Sequence, residues 1–379
     1  MGKKKEKKDK KEKHYPFVSI CTPTYNRRPF IPIMFECFKN QTYPKHRIEW
    51  IIIDDGTDKI KDLIDEANIP QIKYFAIEKK MTLGKKRNYM HEKSSGSYIV
   101  YMDDDDYYPP DRISHAVERL QKNPKALCAG SSELYIYFKH LPQMYQCGPY
   151  GPNHSTAGTF AFRKELLNIT KYNEEACLAE EKEFLHNYTI PFVQLDPLKT
   201  ILVFSHNHNT FDKKRLLENP NPQFTKPSEK TVDQFIRFDY EKNIKEFFME
   251  KIDPLLEEYA PGAPDMKPDV LQQMVNIERD RRRYAENMVN QFSGQITISM
   301  QDGKQQVLNN EQIVSLLRQQ QEQLKMLTNV ISQKEIEINN LKLSNNNNTS
   351  GFIDFFKHDN SNNVNETNSN IILRTILLY

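Results

Sequence analysis

The sequence predicts an α/β fold in which a mainly parallel sheet carries helices on both faces. Two observations predict it. From Tyr15 onward short apolar runs alternate with amphipathic stretches, and three of those runs stop at clusters of polar or acidic residues. Strands are expected at Phe17 to Cys21, Ile48 to Ile53, Ile72 to Ile77 and Tyr98 to Met102. Helices are expected between them at Phe30 to Lys39, Lys59 to Ala67 and Gly84 to Lys93. Three such crossovers imply neighbouring parallel strands. After a further helix, Ile113 to Gln121, mixed strands are expected around Leu127 to Phe138, Ala157 to Phe162 and Thr200 to Ser205.

The expected organisation is a disordered basic tail (1–14), a sheet domain (15–218), a helical extension (219–294), a β-hairpin (295–309), a coiled coil (310–343) and an asparagine-rich disordered tail (344–379). The first boundary rests on the polar, proline-rich stretch from Asn219 to Glu229, and the extension beyond it shows no catalytic-looking cluster. Asp302-Gly303 between alternating residues suits a two-residue hairpin turn. Leu317, Leu324, Ile331 and Ile338 recur every seven residues, with Ile313, Leu327 and Leu341 on the complementary seam, interrupted at Gln320 and Lys334. That repeat predicts a homo-oligomer held by a coiled coil.

A formal charge of only +2 excludes a polyanion-binding field, so no nucleic-acid partner is expected. No apolar run approaches the roughly 20 residues of a membrane span, and a cytoplasmic location is expected. Five scattered cysteines, odd in number and without paired metal spacing, read as reduced thiols.

The chemistry concentrates where strands end. Tyr98 to Met102 runs into Asp103, Asp104, Asp105 and Asp106. Four adjacent like charges repel and call for a cation. In open α/β sheets the carboxyl ends of strands form the ligand crevice. Mg2+ and Mn2+ bridge carboxylate and phosphate oxygens, which fits a nucleotide diphosphate held there, and as Lewis acids they stabilise a departing diphosphate. A second pair, Asp54-Asp55, ends the run Ile51 to Ile53, and the first strand ends in Thr22-Pro23-Thr24-Tyr25-Asn26-Arg27.

Taken together, Val18 to Arg27, Ile52-Ile53-Asp54-Asp55-Gly56-Thr57, Gly84-Lys85-Lys86-Arg87-Asn88 and Tyr98 to Asp106 resemble glycosyltransferase family 2, which has the GT-A fold. The resemblance spans Tyr15 to about Leu217. It implies a metal-dependent transferase that moves a sugar from a nucleotide-diphosphate donor, UDP-linked by default, to a glycan or protein acceptor, with inversion. Pro23, Tyr25 and Asp55 would contact the base, and Arg87 the base or diphosphate, with Arg27 and Asp104 on the same nucleotide face. Asp103 and Asp105 would form the Asp-x-Asp motif, with Asp105 the more direct metal ligand and Asp104 able to share that role, since the run of four leaves the register open. The acceptor-activating base would lie in Ala179-Glu180-Glu181-Lys182-Glu183-Phe184, at Glu181 or Glu180. Many related folds complete the metal shell with a histidine after the last strand; His206 is the candidate, and its imidazole favours manganese over magnesium.

Two rivals differ in what they require. A sugar nucleotidyltransferase should carry a glycine-rich basic loop after the first strand, where this chain has Pro23-Thr24-Tyr25-Asn26-Arg27-Arg28. A non-catalytic oligomeric assembly protein built on an inactive transferase domain would have no need of the acid motifs. Lysine- and asparagine-rich tails resemble those of proteins encoded by large DNA viruses, which would add a viral factory or virion as a location.

Overall fold

Buried strands and the turns that end them decide where this chain can bind anything. The structure is a computed structural model that describes residues 15–178, 180–218, 220–291, 296–299 and 305–348. The expected basic tail, the Asp302-Gly303 turn and the asparagine-rich segment past Asn348 lie outside them.

The principal sheet has the order β3-β2-β1-β4-β8-β5-β9. Its members are β1 (Val18–Thr24), β2 (Ile48–Asp54), β3 (Ile72–Ala76), β4 (Tyr98–Tyr101), β5 (Cys128–Gly130), β8 (Ala161–Arg163) and β9 (Phe192–Gln194). All run in one direction except β8, which is antiparallel to both neighbours. The crossovers are α1 (Ile31–Lys39), α2 (Lys61–Ala67) and α3 (Leu83–Lys93), followed by α4 (Arg112–Lys122). The four expected crossover strands and four helices are therefore present, with ends shifted by a few residues.

One apolar cluster packs Ile20, Trp50, Ile52 and Val100 against Ile31, Phe38, Val117 and Leu120 of α1 and α4. A second, on the other face, packs Cys21, Ile51 and Tyr101 against Met90 of α3 and Phe184. Strands covered on both sides read as nearly continuous apolar runs. All five cysteines are buried free thiols.

The chain winds outward from β1 to β2 and β3, then returns to the opposite side of β1 to lay down β4. Winding reverses between β1 and β4, and such a switch opens a crevice at the carboxyl ends of the two strands.

A second sheet has the order β10-β6-β7-β11, from β6 (Leu134–Phe138), β7 (Gln143–Cys147), β10 (Val203–Ser205) and β11 (Thr225–Pro227). The expected strand at Leu127 to Phe138 is thus two strands in different sheets, separated where Ser131 and Ser132 bond to Thr159 and Gln194. Ala157 to Thr159 is a 3-10 turn, and only Ala161–Arg163 of that expected strand pairs.

The polar break near Asn219 does not end the compact unit, which continues to Ser293. β11 pairs with β7. The helical run α6 (Lys242–Glu246), a π turn (Phe247–Lys251) and α7 (Ile252–Glu257) follow. Phe235, Ile244, Phe247 and Phe248 share one apolar cluster with Phe30, Tyr135 and Phe204. Polar composition marked a surface loop there, whereas the apolar residues beyond it cover the sheet domain. The buried Tyr107 hydroxyl ties the two together, bonding to Glu241 Oε1 at 2.8 Å and Phe235 O at 3.2 Å.

The second compact unit, Gly294–Tyr379, holds the antiparallel pair β12 (Ile296–Ser299) and β13 (Gln305–Leu308), then a single helix α9 (Asn310–Asn348). That helix runs past the expected end of the coiled coil into the asparagine-rich tail, as propagation of an existing helix is far easier than nucleation. The long helix α8 (Pro268–Gln291) belongs to the first unit. Among the described residues no helix is long and apolar enough to cross a membrane.

Glu241 is fully buried, and burial raises its pKa above the usual carboxylate value. Tyr107→Phe should therefore destabilise the chain by about 1–3 kcal/mol, because it leaves a buried acceptor unsatisfied. Urea unfolding should show a lower midpoint at unchanged slope; an unmoved midpoint would mean that this bond does not join the extension to the sheet.

Candidate active site

The end of β1 is shaped by Asn26, which takes a left-handed φ of 53°, a region that asparagine tolerates better than most residues. Its side-chain oxygen accepts the Asp58 N–H at 3.0 Å, so the turns after β1 and β2 interlock. Gly56 makes this approach possible: a β-carbon there would lie 2.6 Å from Asn26 N. The turn delivers Tyr25 and Arg27 to the crevice.

After β4 the acid run folds back on itself. The Tyr108 hydroxyl accepts from Asp103 N at 2.8 Å and donates to Gly158 O at 3.1 Å. Gly158 leaves room for the acid, since a β-carbon there would meet Asp103 Oδ2 at 2.8 Å. Two buried arginines hold the carboxylates. Arg27 lies 3.0 Å from Asp105 Oδ2 and 3.6 Å from Asp104 Oδ1, and donates to His208 O at 2.6 Å. Arg87, from α3, bonds Glu180 Oε1 at 2.8 Å, lies 3.9 Å from Asp103 Oδ1, and stacks over the Tyr101 ring at 4.5 Å.

The four acids are not equivalent. Burial works against ionisation of Asp105, but Arg27 and His206 outweigh it and hold that carboxyl well below the ordinary range. Burial pushes Asp104 up to about 7 against the pull of Arg27, and drives Asp103 and Asp106 up as well, with Asp105 adding to each. One acid of the run thus keeps its charge firmly while its neighbours resist ionisation.

A cleft of about 250 Å³ opens above these groups. Of the nucleotide residues expected from sequence, it is lined by Pro23, Tyr25, Arg27, Arg87, Asp103 and Asp104, together with Asp105. Asp55 does not line it. Both Asp55 oxygens are engaged inside, by Met81 N at 2.6 Å and by the buried Lys86 ammonium. In this arrangement Asp55 positions Lys86, which does line the cleft.

The two glutamates also separate. Glu180 is the buried partner of Arg87, whereas Glu181 opens the short helix α5 (Glu181–Phe184), is partly buried, and has its pKa raised to about 7 by burial and by Glu180. Neither lines the cleft; Glu180 reaches it through Arg87.

His206 lies beside Asp105, with Nε2 at 3.5 Å from Oδ2, and shares the same nitrogen with Asn209 at 2.7 Å. Burial lowers its pKa to about 4, so the ring is neutral at physiological pH. Among the described residues no three His, Cys, Asp or Glu side chains converge as a metal cage. The donors nonetheless fit a divalent cation in kind. Asp103 Oδ1, Asp104 Oδ2, Asp106 Oδ1 and His206 Nδ1 are all buried without a hydrogen-bond partner among the described residues, which is costly for polar atoms unless something binds them.

Residues 19–179 match the family profile described as glycosyl transferase family 2. The segment belongs to that family. A putative teichuronic acid biosynthesis glycosyltransferase of Bacillus subtilis is 30% identical over 110 residues, 28% of this chain and 43% of the relative. An uncharacterized glycosyltransferase of Haemophilus influenzae is 31% identical over 121 residues, 31% of this chain and 47% of the relative. The chain thus spans less than half the length of these curated relatives. Among solved structures, Staphylococcus aureus TarS in complex with UDP-GlcNAc aligns over 77% of this chain and 96% of that one at 15% identity, with a TM-score of 0.42, a likeness too loose to bear on ligands. The mixed, mainly parallel α/β sheet is the one expected of a GT-A domain.

The family 2 segment does not complete its own cleft. Thr210, Phe211, Lys267, Asp269 and Val270 also line it, and all lie beyond residue 179. The extension was expected to show no catalytic-looking cluster; it nonetheless brings Lys267 to the crevice, and a lone lysine in a helical stretch gives no signal of that in sequence.

Removing either partner of the Arg87–Glu180 pair strands a buried charge. Arg87→Met should cost about 3–5 kcal/mol, and the Arg87→Met/Glu180→Gln double variant less than the sum of the singles. Strict additivity in a denaturant-unfolding cycle would dissolve the pairing.

Proposed function

We propose that this chain transfers a sugar from a nucleotide-diphosphate donor, UDP-linked by default, to an acceptor hydroxyl with inversion. The observation that carries the proposal is the meeting of Tyr25, Arg27 and Arg87 with the acid run in one cleft at the winding reversal of a family 2 domain. Tyr25 and Pro23 offer an apolar wall to the base, and the arginines offer charge to the diphosphate.

Asp105, Asp103 and His206 would hold a divalent cation, manganese in preference to magnesium given the neutral imidazole. When bound, it supplies positive charge to the leaving diphosphate.

Glu181, which opens α5 outside the lining of the cleft, would accept the proton of an acceptor hydroxyl brought to it. The hydroxyl oxygen bonds the anomeric carbon from the face opposite the diphosphate, the bond to the diphosphate oxygen breaks, and the configuration inverts. Glu180 is less suited to this step, being engaged by Arg87. The groups acting on Glu181 are Glu180, which raises its pKa, and Arg87, which lowers it.

A base with a pKa of about 7 is protonated and inactive below that value and gains activity as pH rises through it. With the matching nucleotide sugar and Mn2+, the pH–rate profile should climb through neutrality. Asp105→Ala and Glu181→Gln should each abolish transfer, read as released nucleoside diphosphate, while the fold persists. Full transfer activity in both variants would remove the proposed site and favour a different chemistry.

We also propose that α9 pairs with another copy of the chain. Leu317, Leu324, Leu327 and Ile331 are each more than half exposed on this helix, an apolar seam that a single copy leaves in water. Sedimentation should show a homo-oligomer that Leu324→Lys with Ile331→Lys converts to a monomer; a monomeric wild type would overturn this.

A further inference from the structure

Among the described residues five cations line the cleft: Arg27, Lys80, Lys86, Arg87 and Lys267. Four are already matched with carboxylates. Arg27 is paired with Asp104 and Asp105, Arg87 with Asp103 and Glu180, Lys86 with Asp55, and Lys80 with Asp269. Among the described residues no carboxylate lies within ion-pair distance of Lys267. Among the same residues its ammonium has one polar contact, a long one of 3.4 Å to Thr210 Oγ1. Yet Lys267 is only 5% exposed.

A buried ammonium with three donors and one weak acceptor is under-satisfied. Burial accordingly pulls its pKa down to about 7. An anion arriving in the cleft would satisfy it.

Lys267 is also held in place on both sides. Before it, Asn26 Nδ2 donates to Pro261 O at 2.9 Å, and Gly262 passes so near the turn after β1 that a β-carbon would lie 2.5 Å from Asn26 O. After it, Gln273 Oε1 accepts the Cys177 and Leu178 N–H groups at 2.6 and 2.8 Å. The strap from Pro261 to Gln273 therefore presents its lysine to the cleft from a fixed backbone.

We propose that Lys267 binds the diphosphate of the donor, so that the donor site is built partly by a strap outside the family 2 segment. A phosphate oxygen suits it in two respects: it is anionic, and it accepts several donors at once, as a compact ammonium requires. The inference rests on the sugar-nucleotide reading above and adds a residue to it.

The test uses the full chain and its Lys267→Met and Lys267→Arg variants. Each is titrated by calorimetry with UDP, GDP and TDP and with the corresponding nucleosides, with and without Mn2+, and each is melted to check its fold. The expected result is that one diphosphate binds the wild type, that Lys267→Met weakens it by about tenfold or more, and that the nucleoside is unaffected. Lys267→Arg should recover most of the loss.

Equal diphosphate affinity in wild type and Lys267→Met overturns the proposal while leaving the donor reading intact. Parallel loss of nucleoside binding, or a lowered melting temperature in both variants, assigns Lys267 a structural role and overturns it too. A folded wild type that binds no nucleoside diphosphate under any condition sinks the donor reading itself and this inference with it.

Discussion

Four adjacent carboxylates at the end of a buried strand are the constraint around which this molecule is arranged. In water they would repel modestly; inside a protein the same repulsion is far stronger because little solvent screens it. Arg27 and Arg87 answer it from opposite sides, one from the turn after β1 and one from α3. Each arginine is itself buried and shared between two acids, so the positions of β1, α3 and β4 are coupled through charge as well as through the apolar core. The result is uneven: Asp105 stays ionised while its neighbours are pushed toward protonation.

That same economy explains why so much of the wall is supplied late in the chain. The family 2 segment contributes the acids and their arginine partners, but its cationic side chains at the cleft are already occupied by carboxylates. Lys267 comes from a region that also contributes Phe235, Phe247 and Phe248 to the core. Packing and site construction are therefore joined in this extension: the same stretch that covers the second sheet continues into the strap that meets the turn after β1.

The legible part of the fold was the part with strong periodicity. Ile48 to Asp54 is wholly buried, and such a run announces a covered strand. Asp103 to Asp106 could be placed at a crevice because the apolar run before them fixes where the strand stops. His206 was chosen by resemblance, and the structure sets it 3.5 Å from Asp105. What escaped was short or distant. Gln143–Cys147 and Phe192–Gln194 are strands of five and three residues whose pairing is decided by neighbours, not by their own pattern. Asp55 looked ligand-facing because it stands at a strand end, but Met81 N–H and the Lys86 ammonium hold both its oxygens inside. Glu180 and Glu181 are chemically alike in sequence, and only the reach of Arg87 tells them apart.

The reversed strand β8 has a consequence for how such a crevice can change. Because it runs against β4, with Ala161 opposite Val100, its beginning rather than its end meets the acid-bearing edge. The chain thus reaches that edge twice, leaving it after β4 and returning through Gly158 before β8. An insertion between β7 and β8 would add to the wall on the arriving side without altering the length or register of any strand in the sheet, so the breadth of the opening can diverge between related chains while the charged floor stays the same.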